Sequence, residues 1–449
     1  MNPDTEQELK LHLGKRDASQ IRRILFNEHP SDIAEILSEL ERDETIFVFE
    51  TLDTESASDV LEETDTYTQK DIVEGGHKNF LLKVLNDLPP DVAADILGRT
   101  PEEERAPILS EMDPDSAQKV KRLLRYREDS AGGVMTTEYI SLSGNISARE
   151  AIEKTQRDFA QVEEYVSHIY VLGPEKRLKG ILAVNKLVFS SPTAKIHNLM
   201  DRKFHFVTPD MDREEVANEF RKYNLISLPV CDRHMHLLGM ITVDDIMDVL
   251  QEENAEDMFM LAGSSERNSF VDSPSRRALL RFPWLLVTLG GGILCSLVMK
   301  SFGSILSELV ALTFFIPVII GMAGNISIQS STVIVRGLAT GEIDLKDFFR
   351  VIGKEVFSGL ILGIGFGTLT GVVGLFFGSA LTFGLVVGLS MFIAILIASL
   401  TGAFIPLICC KFKIDPAIAA GPFVTTLNDL TGLAAYLSVA SALTVYFAP

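Results

Sequence analysis

The 449-residue sequence contains no His-Glu-x-x-His run, and all eight of its histidines precede Arg281. The paired-histidine zinc site of a membrane-embedded protease is therefore missing. No Gly-x-x-x-x-Gly-Lys-Ser/Thr loop occurs either, so the backbone cradle that grips ATP in a P-loop pump is absent. Only four cysteines are present, Cys231, Cys295, Cys409 and Cys410. They lack zinc-finger spacing and three sit in apolar stretches, so neither structural zinc nor a disulfide framework is expected. His234 and His236 lie close together in sequence; a soft-metal site and a simply exposed pair both fit them. With no catalytic constellation, an enzyme is not expected. The opening MNPDTEQELK has no apolar signal core, so no cleavable leader is expected.

Charge is scarce in one place and one-sided in another. From Arg281 onward there are eight basic and seven acidic residues; before it there are 33 and 54. The first part thus carries about −21 and the last about +1. An acidic soluble part argues against nucleic acid, whose binders carry a basic footprint. It attracts cations, although solubility alone would also account for it. Mean hydropathy is +0.21, high for a soluble chain.

Four regions follow from the pattern. Residues 1–130 read as all-helical. Ala34, Ala57, Ala94 and Ala117 mark recurring apolar helices, and Pro30, Pro90 and Pro114 stand where proline fits a helix start. This pattern suggests short helices stacked in pairs as a superhelical solenoid. Residues 131–250 hold a second repeat. Val134-Met135-Thr136 returns as Leu199-Met200-Asp201, and Tyr170-Val171 with Gly180-Ile181 returns as Pro229-Val230 with Gly239-Met240. Strand, amphipathic helix, strand, turn, strand and helix follow in each copy, an order that resembles tandem α/β CBS domains. Residues 251–280 read as a charged connecting helix. Residues 281–449 contain five long apolar stretches, near 283–299, 312–335, 356–377, 383–409 and 420–447, each long enough to cross a bilayer. Arg and Lys concentrate before the first stretch, between the second and third, and between the fourth and fifth. The positive-inside bias then predicts a cytoplasmic N-terminus and an external C-terminus.

Asp429 stands inside the fifth stretch, within Thr425-Thr426-Leu427-Asn428-Asp429-Leu430-Thr431. A carboxylate at the bilayer centre costs about 2.5–3.5 kcal/mol on insertion scales, so such a group ordinarily faces a bundle interior or an aqueous path. Oxygen-only surroundings suit a hard cation, and magnesium is held through its own waters by one or two carboxylates. A symmetric homodimer would place two Asp429 side chains about one axis. The second stretch is polar for a lipid-facing helix: Gly321, Gly324, Asn325, Ser327, Gln329, Ser330, Ser331 and Thr332 either line a path or pack closely against a neighbour. Asp415-Pro416 reads as a helix-starting turn or as a cation ligand at the pore mouth. Asp245, Asp248, Glu252 and Glu256 recur at three- and four-residue steps, which is one helix face. Such a face is solvated, or it is neutralised by cations.

These parts in this order resemble the MgtE-type magnesium channels and transporters. The most specific matches are Tyr126-Arg127-Glu128-Asp129-Ser130-Ala131-Gly132-Gly133-Val134-Met135-Thr136 and the segment from Asp415-Pro416-Ala417 through Gly421-Pro422-Phe423-Val424-Thr425-Thr426 to Asp429-Leu430-Thr431-Gly432. The resemblance implies a homodimeric inner-membrane protein that carries Mg2+, with a hydrated ion near Asp429. It also implies a gate shut by regulatory Mg2+. Carried over by motif, the sensing ligands would be Asp59, Asp91 and Asp95, then Asp212, Glu214, Asp245 and Asp248, then Glu253, Glu256 and Asp257, with Asp415 near the membrane. CBS pairs often bind adenosine nucleotides such as ATP. Gly239-Met240-Ile241-Thr242-Val243-Asp244-Asp245 keeps that pattern, whereas the first copy has Lys186 in the aspartate's place. Two departures stand out: Ser327 replaces the second glycine of the family's Gly-Asn-x-Gly-x-Gln, and Asn224 stands where some relatives carry an acidic sensor. A transporter of another divalent cation such as Co2+, an exporter, and a pore-less nucleotide sensor are the competing expectations.

Overall fold

Helix starts recur every twelve residues through the N-terminal region, at Pro30, Arg42, Thr54, Thr66, Lys78, Pro90, Glu102 and Pro114, and each of these helices is 10 residues long. A shorter helix, Ala18–Leu25, precedes them. Two-residue turns separate the helices, and the turn residues carry the caps. Asp53 accepts from Ser56 N at 3.0 Å, Asp65 from Tyr67 N at 2.8 Å, and Asp113 from Asp115 N at 3.0 Å. Each satisfies a backbone donor that the helix itself leaves unpaired. Pro30, Pro90 and Pro114 occupy the first helical position, where no donor is lost. Leu37, Phe49, Leu61, Leu85, Leu97 and Leu109 follow the same interval or twice it, and all are buried. Most of these helices pack on the helix next but one, which gives two layers.

The computed structural model describes residues 8–9, 11–159, 167–264, 274–378, 381–417 and 421–447. Part of the expected connecting helix, residues 265–273, lies outside them, as does residue 420 at the start of the fifth apolar stretch. Contacts divide the chain into two units, Met1–Gln251 and Glu252–Pro449.

The rest of the first unit is the repeated α/β pair. Strand β1, Ser141–Ser143, runs parallel to β2, His168–Leu172, which pairs antiparallel with β3, Leu178–Ala183. Strands β4, Ser227–Cys231, and β5, Leu237–Thr242, form the second hairpin, with Val207 bridging Val230 in the parallel sense where the first copy has β1. Tyr170 faces Ile181 in one register and Pro229 faces Met240 in the other, so the two copies superimpose as the sequence repeat requires. Their leading segments are exchanged: Thr136, at the head of the first copy, bridges Met240 of the second, while Asp201 bridges Ile181 of the first. The approach to Thr136 is tight. A Cβ on Gly133 would lie 2.3 Å from the Arg127 carbonyl oxygen, so only glycine lets the Tyr126–Val134 stretch fold back on itself.

In the second unit, four segments among the described residues are long and apolar enough to cross a membrane: Pro274–Ser301, Val310–Ala339, Leu345–Phe377 and Leu381–Lys411. A fifth helix, Pro422–Phe447, has the length at 26 residues but not a place among those four. Thr425, Thr426, Asn428, Asp429 and Thr431 dilute the apolar character of its first half, so all five expected helices are present but only four of them count as apolar spans among the described residues. The Leu381–Lys411 helix is central. It packs on Phe348–Gly378, Ile316–Ala339 and Pro422–Phe447, whereas Pro274–Ser301 packs mainly along Pro422–Phe447. Where Leu381–Lys411 crosses Ile316–Ala339, a Cβ on Gly402 would lie 2.5 Å from the Ser327 carbonyl oxygen, so the two backbones nearly touch. Close approach of this kind drives helix association in lipid, where apolar burial offers no gain.

Candidate ion sites

Three carboxylates from separate stretches of the first unit act on one another. Asp91 begins the Pro90–Arg99 helix and is 8% exposed. Its Oδ1 is buried without a hydrogen-bond partner. Burial pushes its pKa up to about 6, with Asp95 and Glu138 adding to the shift and hydrogen bonds from its own backbone and Thr136 opposing it. Asp245, at the start of the Val243–Leu261 helix, is pushed up to about 7, first by burial and then by Asp91. The Thr242 hydroxyl and backbone N–H both donate to Asp245 Oδ2, which fixes the carboxylate in place. Glu62 is exposed on the Thr54–Glu63 helix, and its pKa is also raised to about 7, by desolvation from the atoms crowded around it and then by Asp91, Glu63, Asp59 and Asp245. Its membership is new. Glu62 falls in a run of helix-forming acids, and no local spacing distinguishes it from Glu63.

A raised carboxyl pKa fixes the sign of a pH effect. Between the ordinary carboxyl range and about 7 the folded protein holds more protons than the unfolded chain, so these groups lower stability as pH rises. Without magnesium, calorimetric unfolding of the Met1–Gln251 unit should shift to lower temperature from about pH 5 to about pH 7.5. Millimolar Mg2+ at the higher pH should reverse the shift. An unfolding temperature that is flat or rises across that window would contradict the arrangement.

The second unit has its own pair. Asp257, near the end of the Val243–Leu261 helix, is pushed up to about 6 by burial, then by Asp415 and Glu253. Asp415 is raised by burial, while the Ala417 N–H, donating to its Oδ1 at 2.8 Å, works the other way. Asp415 is therefore at once a turn residue and a neighbour of Asp257. Among the described residues, no three His, Cys, Asp or Glu side chains stand close enough to form a ready-made metal cage. A cation that keeps its waters does not need one.

The remaining expected ligands are placed differently. Asp59 is exposed on the Thr54–Glu63 helix and borders a cavity of about 510 Å3 with Glu55, Asp87 and Glu138. Asp95 is exposed one turn beyond Asp91. Asp212 caps the Arg213–Tyr223 helix, accepting from Glu214 N at 2.9 Å, and Glu214 sits exposed in that helix's first turn. Asp248 is exposed, while Glu253 and Glu256 are half-buried on the Val243–Leu261 helix. Asn224 ends Arg213–Tyr223 in a left-handed conformation with φ 50°, which asparagine tolerates better than an acid with a longer side chain. His236 Nδ1 lies 2.8 Å from Asp232, whose carboxylate also accepts the His234 and His236 backbone N–H groups; this is a turn lock. Lys186 pairs with Asp201 at 3.1 Å, so the first copy presents an ion pair where a ribose-binding aspartate would stand.

In the membrane unit, Asp429 is half-buried, and a Cβ on Gly324 would lie 3.7 Å from its Oδ1. The two helices that bear the expected path residues thus meet at a glycine beside the carboxylate. On Ile316–Ala339, Gly321, Asn325, Gln329 and Thr332 are exposed, whereas Gly324, Ser327, Ser330 and Ser331 are buried. Polar groups left uncovered on a membrane helix require water or another chain. Asn428 does not join Asp429; it is 1% exposed and bonded into the helix interface. Glu355 stands one residue before the expected third stretch, 356–377. It lies inside Phe348–Gly378 and accepts from Ser330 Oγ at 2.8 Å. The 25-residue separation of that pair leaves no sequence signal.

Comparison with known proteins fits this geometry. A family model described as a divalent cation transporter, MgtE, matches residues 316–439; the MgtE intracellular N domain matches 28–129, and a CBS domain matches 196–252. A magnesium transporter MgtE from Thermus thermophilus is 34% identical over 96% of both chains. One from Bacillus subtilis is 31% identical over 94% of this chain and 93% of its own. The solved cytosolic domain of the Mg2+ channel MgtE in complex with ATP is 30% identical, covering 54% of this chain and 99% of that one, with a TM-score of 0.52. The solved soluble part of a magnesium transporter is 25% identical over 56% of this chain and 98% of its own, also at 0.52.

Proposed function

Because the chain belongs to the MgtE family of divalent-cation transporters, we propose that it moves Mg2+ across a membrane past Asp429 and senses Mg2+ with its soluble carboxylates. One observation carries the reading: the sole carboxylate of Pro422–Phe447 sits beside Gly324, on the helix whose Asn325, Gln329 and Thr332 remain uncovered by this chain.

A homodimer would cover that polar face with its symmetry mate and set two Asp429 carboxylates around one hydrated ion. Mg2+ exchanges its waters reluctantly, so recognition through the hydration shell discriminates by the size and spacing of the aquo-ion. The sensor reading is supported by Asp91, Asp245 and Glu62, which repel one another when ionised, and by Asp257 with Asp415. Mg2+ at these pairs would remove the repulsion and hold the Val243–Leu261 helix in its closed-gate position. We place the protein in the inner membrane with its N-terminus in the cytoplasm. ATP binding by the CBS pair is supported by the ATP-bound relative; in this chain it would fall to the second copy's Asp245, in competition with ion sensing.

Uptake by the reconstituted protein in proteoliposomes, measured in turn for Mg2+, Co2+, Mn2+ and Ca2+, tests the central claim. Mg2+ should be carried at a rate well above the leak of empty vesicles and should outcompete Ca2+. Flux indistinguishable from that leak would reject transport, and a preference for Co2+ would reassign the ion.

A further inference from the structure

Asn428 ties three membrane helices together with one side chain. Its Nδ2 donates to Val424 O at 2.9 Å and to Ser327 Oγ on Ile316–Ala339. Its Oδ1 lies 2.5 Å from Thr401 Oγ1 on Leu381–Lys411, and that hydroxyl shares its one proton with the Ile397 carbonyl at 2.8 Å. Ser327 is fully buried, and Gly402 beside it brings the two backbones into contact. Every polar atom of the amide therefore has a partner in a region where lipid supplies none.

We propose that Ser327, Asn428 and Thr401 form a hydrogen-bonded clasp that sets the rotation of Pro422–Phe447 about its own axis, and so the direction in which Asp429 presents its carboxylate. Asp429 follows Asn428 directly, about 100° further round at 3.6 residues per turn. Locking Asn428 inward turns Asp429 toward Gly324 and away from the Thr401 interface. A glycine at position 327 would leave Asn428 Nδ2 one acceptor short, so this chain's departure from the Gly-Asn-x-Gly-x-Gln pattern has a job in the clasp. These three are positioning residues, and their importance for permeation rests on the Asp429 reading above.

The test uses the full-length protein in proteoliposomes, with two readouts. The first is the Mg2+-over-Ca2+ flux ratio in Ser327→Ala, Asn428→Leu and Thr401→Val, with Thr401→Ser as the hydroxyl-keeping control. The second is the rate at which an aqueous methanethiosulfonate reagent modifies Asp429→Cys, with the four native cysteines replaced, in the same backgrounds. The clasp predicts a ratio lowered about tenfold by Thr401→Val and restored by Thr401→Ser, on the scale of one interhelical hydrogen bond. It also predicts a comparable change in the modification rate. A wild-type ratio together with a wild-type modification rate in Asn428→Leu and Thr401→Val would overturn the proposal, whatever happened to thermal stability. A changed modification rate alongside full uptake by Asp429→Asn would uphold the clasp and reject Asp429 as the ion-recognising group.

Discussion

Replacing Asp429 with asparagine should cut Mg2+ uptake by about ten- to hundredfold, the expected loss if the carboxylate holds a bound ion's water through a charge-assisted hydrogen bond worth about 1.5–3 kcal/mol. Asparagine matches the side chain in shape, so the Pro422–Phe447 helix keeps its packing on Leu381–Lys411 and Pro274–Ser301. Losing the charge, and not the fold, is then the variable. Two copies about one axis would make the loss steeper than one group per pore, because each ion meets two altered ligands. Uptake measured with a magnesium-sensitive dye in reconstituted vesicles provides the check, and melting of the purified variant confirms that it is folded. Wild-type uptake by the asparagine variant would remove Asp429 from the path.

The second large effect has opposite signs in two measurements. Asp245→Asn removes one of three mutually repelling carboxylates. Without magnesium the variant should therefore melt at a higher temperature than the parent. With magnesium it should gain less stability, because the proposed ion ligand has gone. In flux assays the closed gate should need about tenfold more Mg2+ or fail to close, matching roughly 1.4 kcal/mol of lost ion binding. Asp91→Asn should act the same way, since Asp91 supplies the buried oxygen with no partner. A variant whose Mg2+-induced rise in melting temperature equals the parent's would take Asp245 out of the sensor.

The soluble repeat could be read in the sequence, but its period could not be read from alanines alone. The spacings between Ala34, Ala57, Ala94 and Ala117 miss multiples of twelve by one residue, because Ala34 and Ala94 are fifth in their helices whereas Ala57 and Ala117 are fourth. Leu37, Phe49, Leu61, Leu85, Leu97 and Leu109 keep strict register and would have given the unit directly. Asp91 and Asp245 were named by family pattern, and the structure brings them together across 154 residues, which no helical spacing can encode. Glu62 was missed because its partners are distant in sequence. In the membrane unit, hydropathy located the helices but could not orient them. Asn428 reads like a companion of Asp429, yet a neighbouring position on a helix points elsewhere. Glu355 falls just outside the apolar stretch 356–377, because charge is the usual sign that a span has ended.

A solenoid built from units of one ten-residue helix and one two-residue turn, with most helices resting on the helix next but one, imposes a parity rule on its own history. Inserting twelve residues would move every later helix into the opposite layer and turn Asp91 away from Asp245. Inserting or deleting twenty-four would lengthen or shorten the stack and leave the layers intact. Changes of length in this domain are therefore expected to be inherited in pairs of helices, with odd numbers tolerated only where the Asp91–Asp245 approach has been given up.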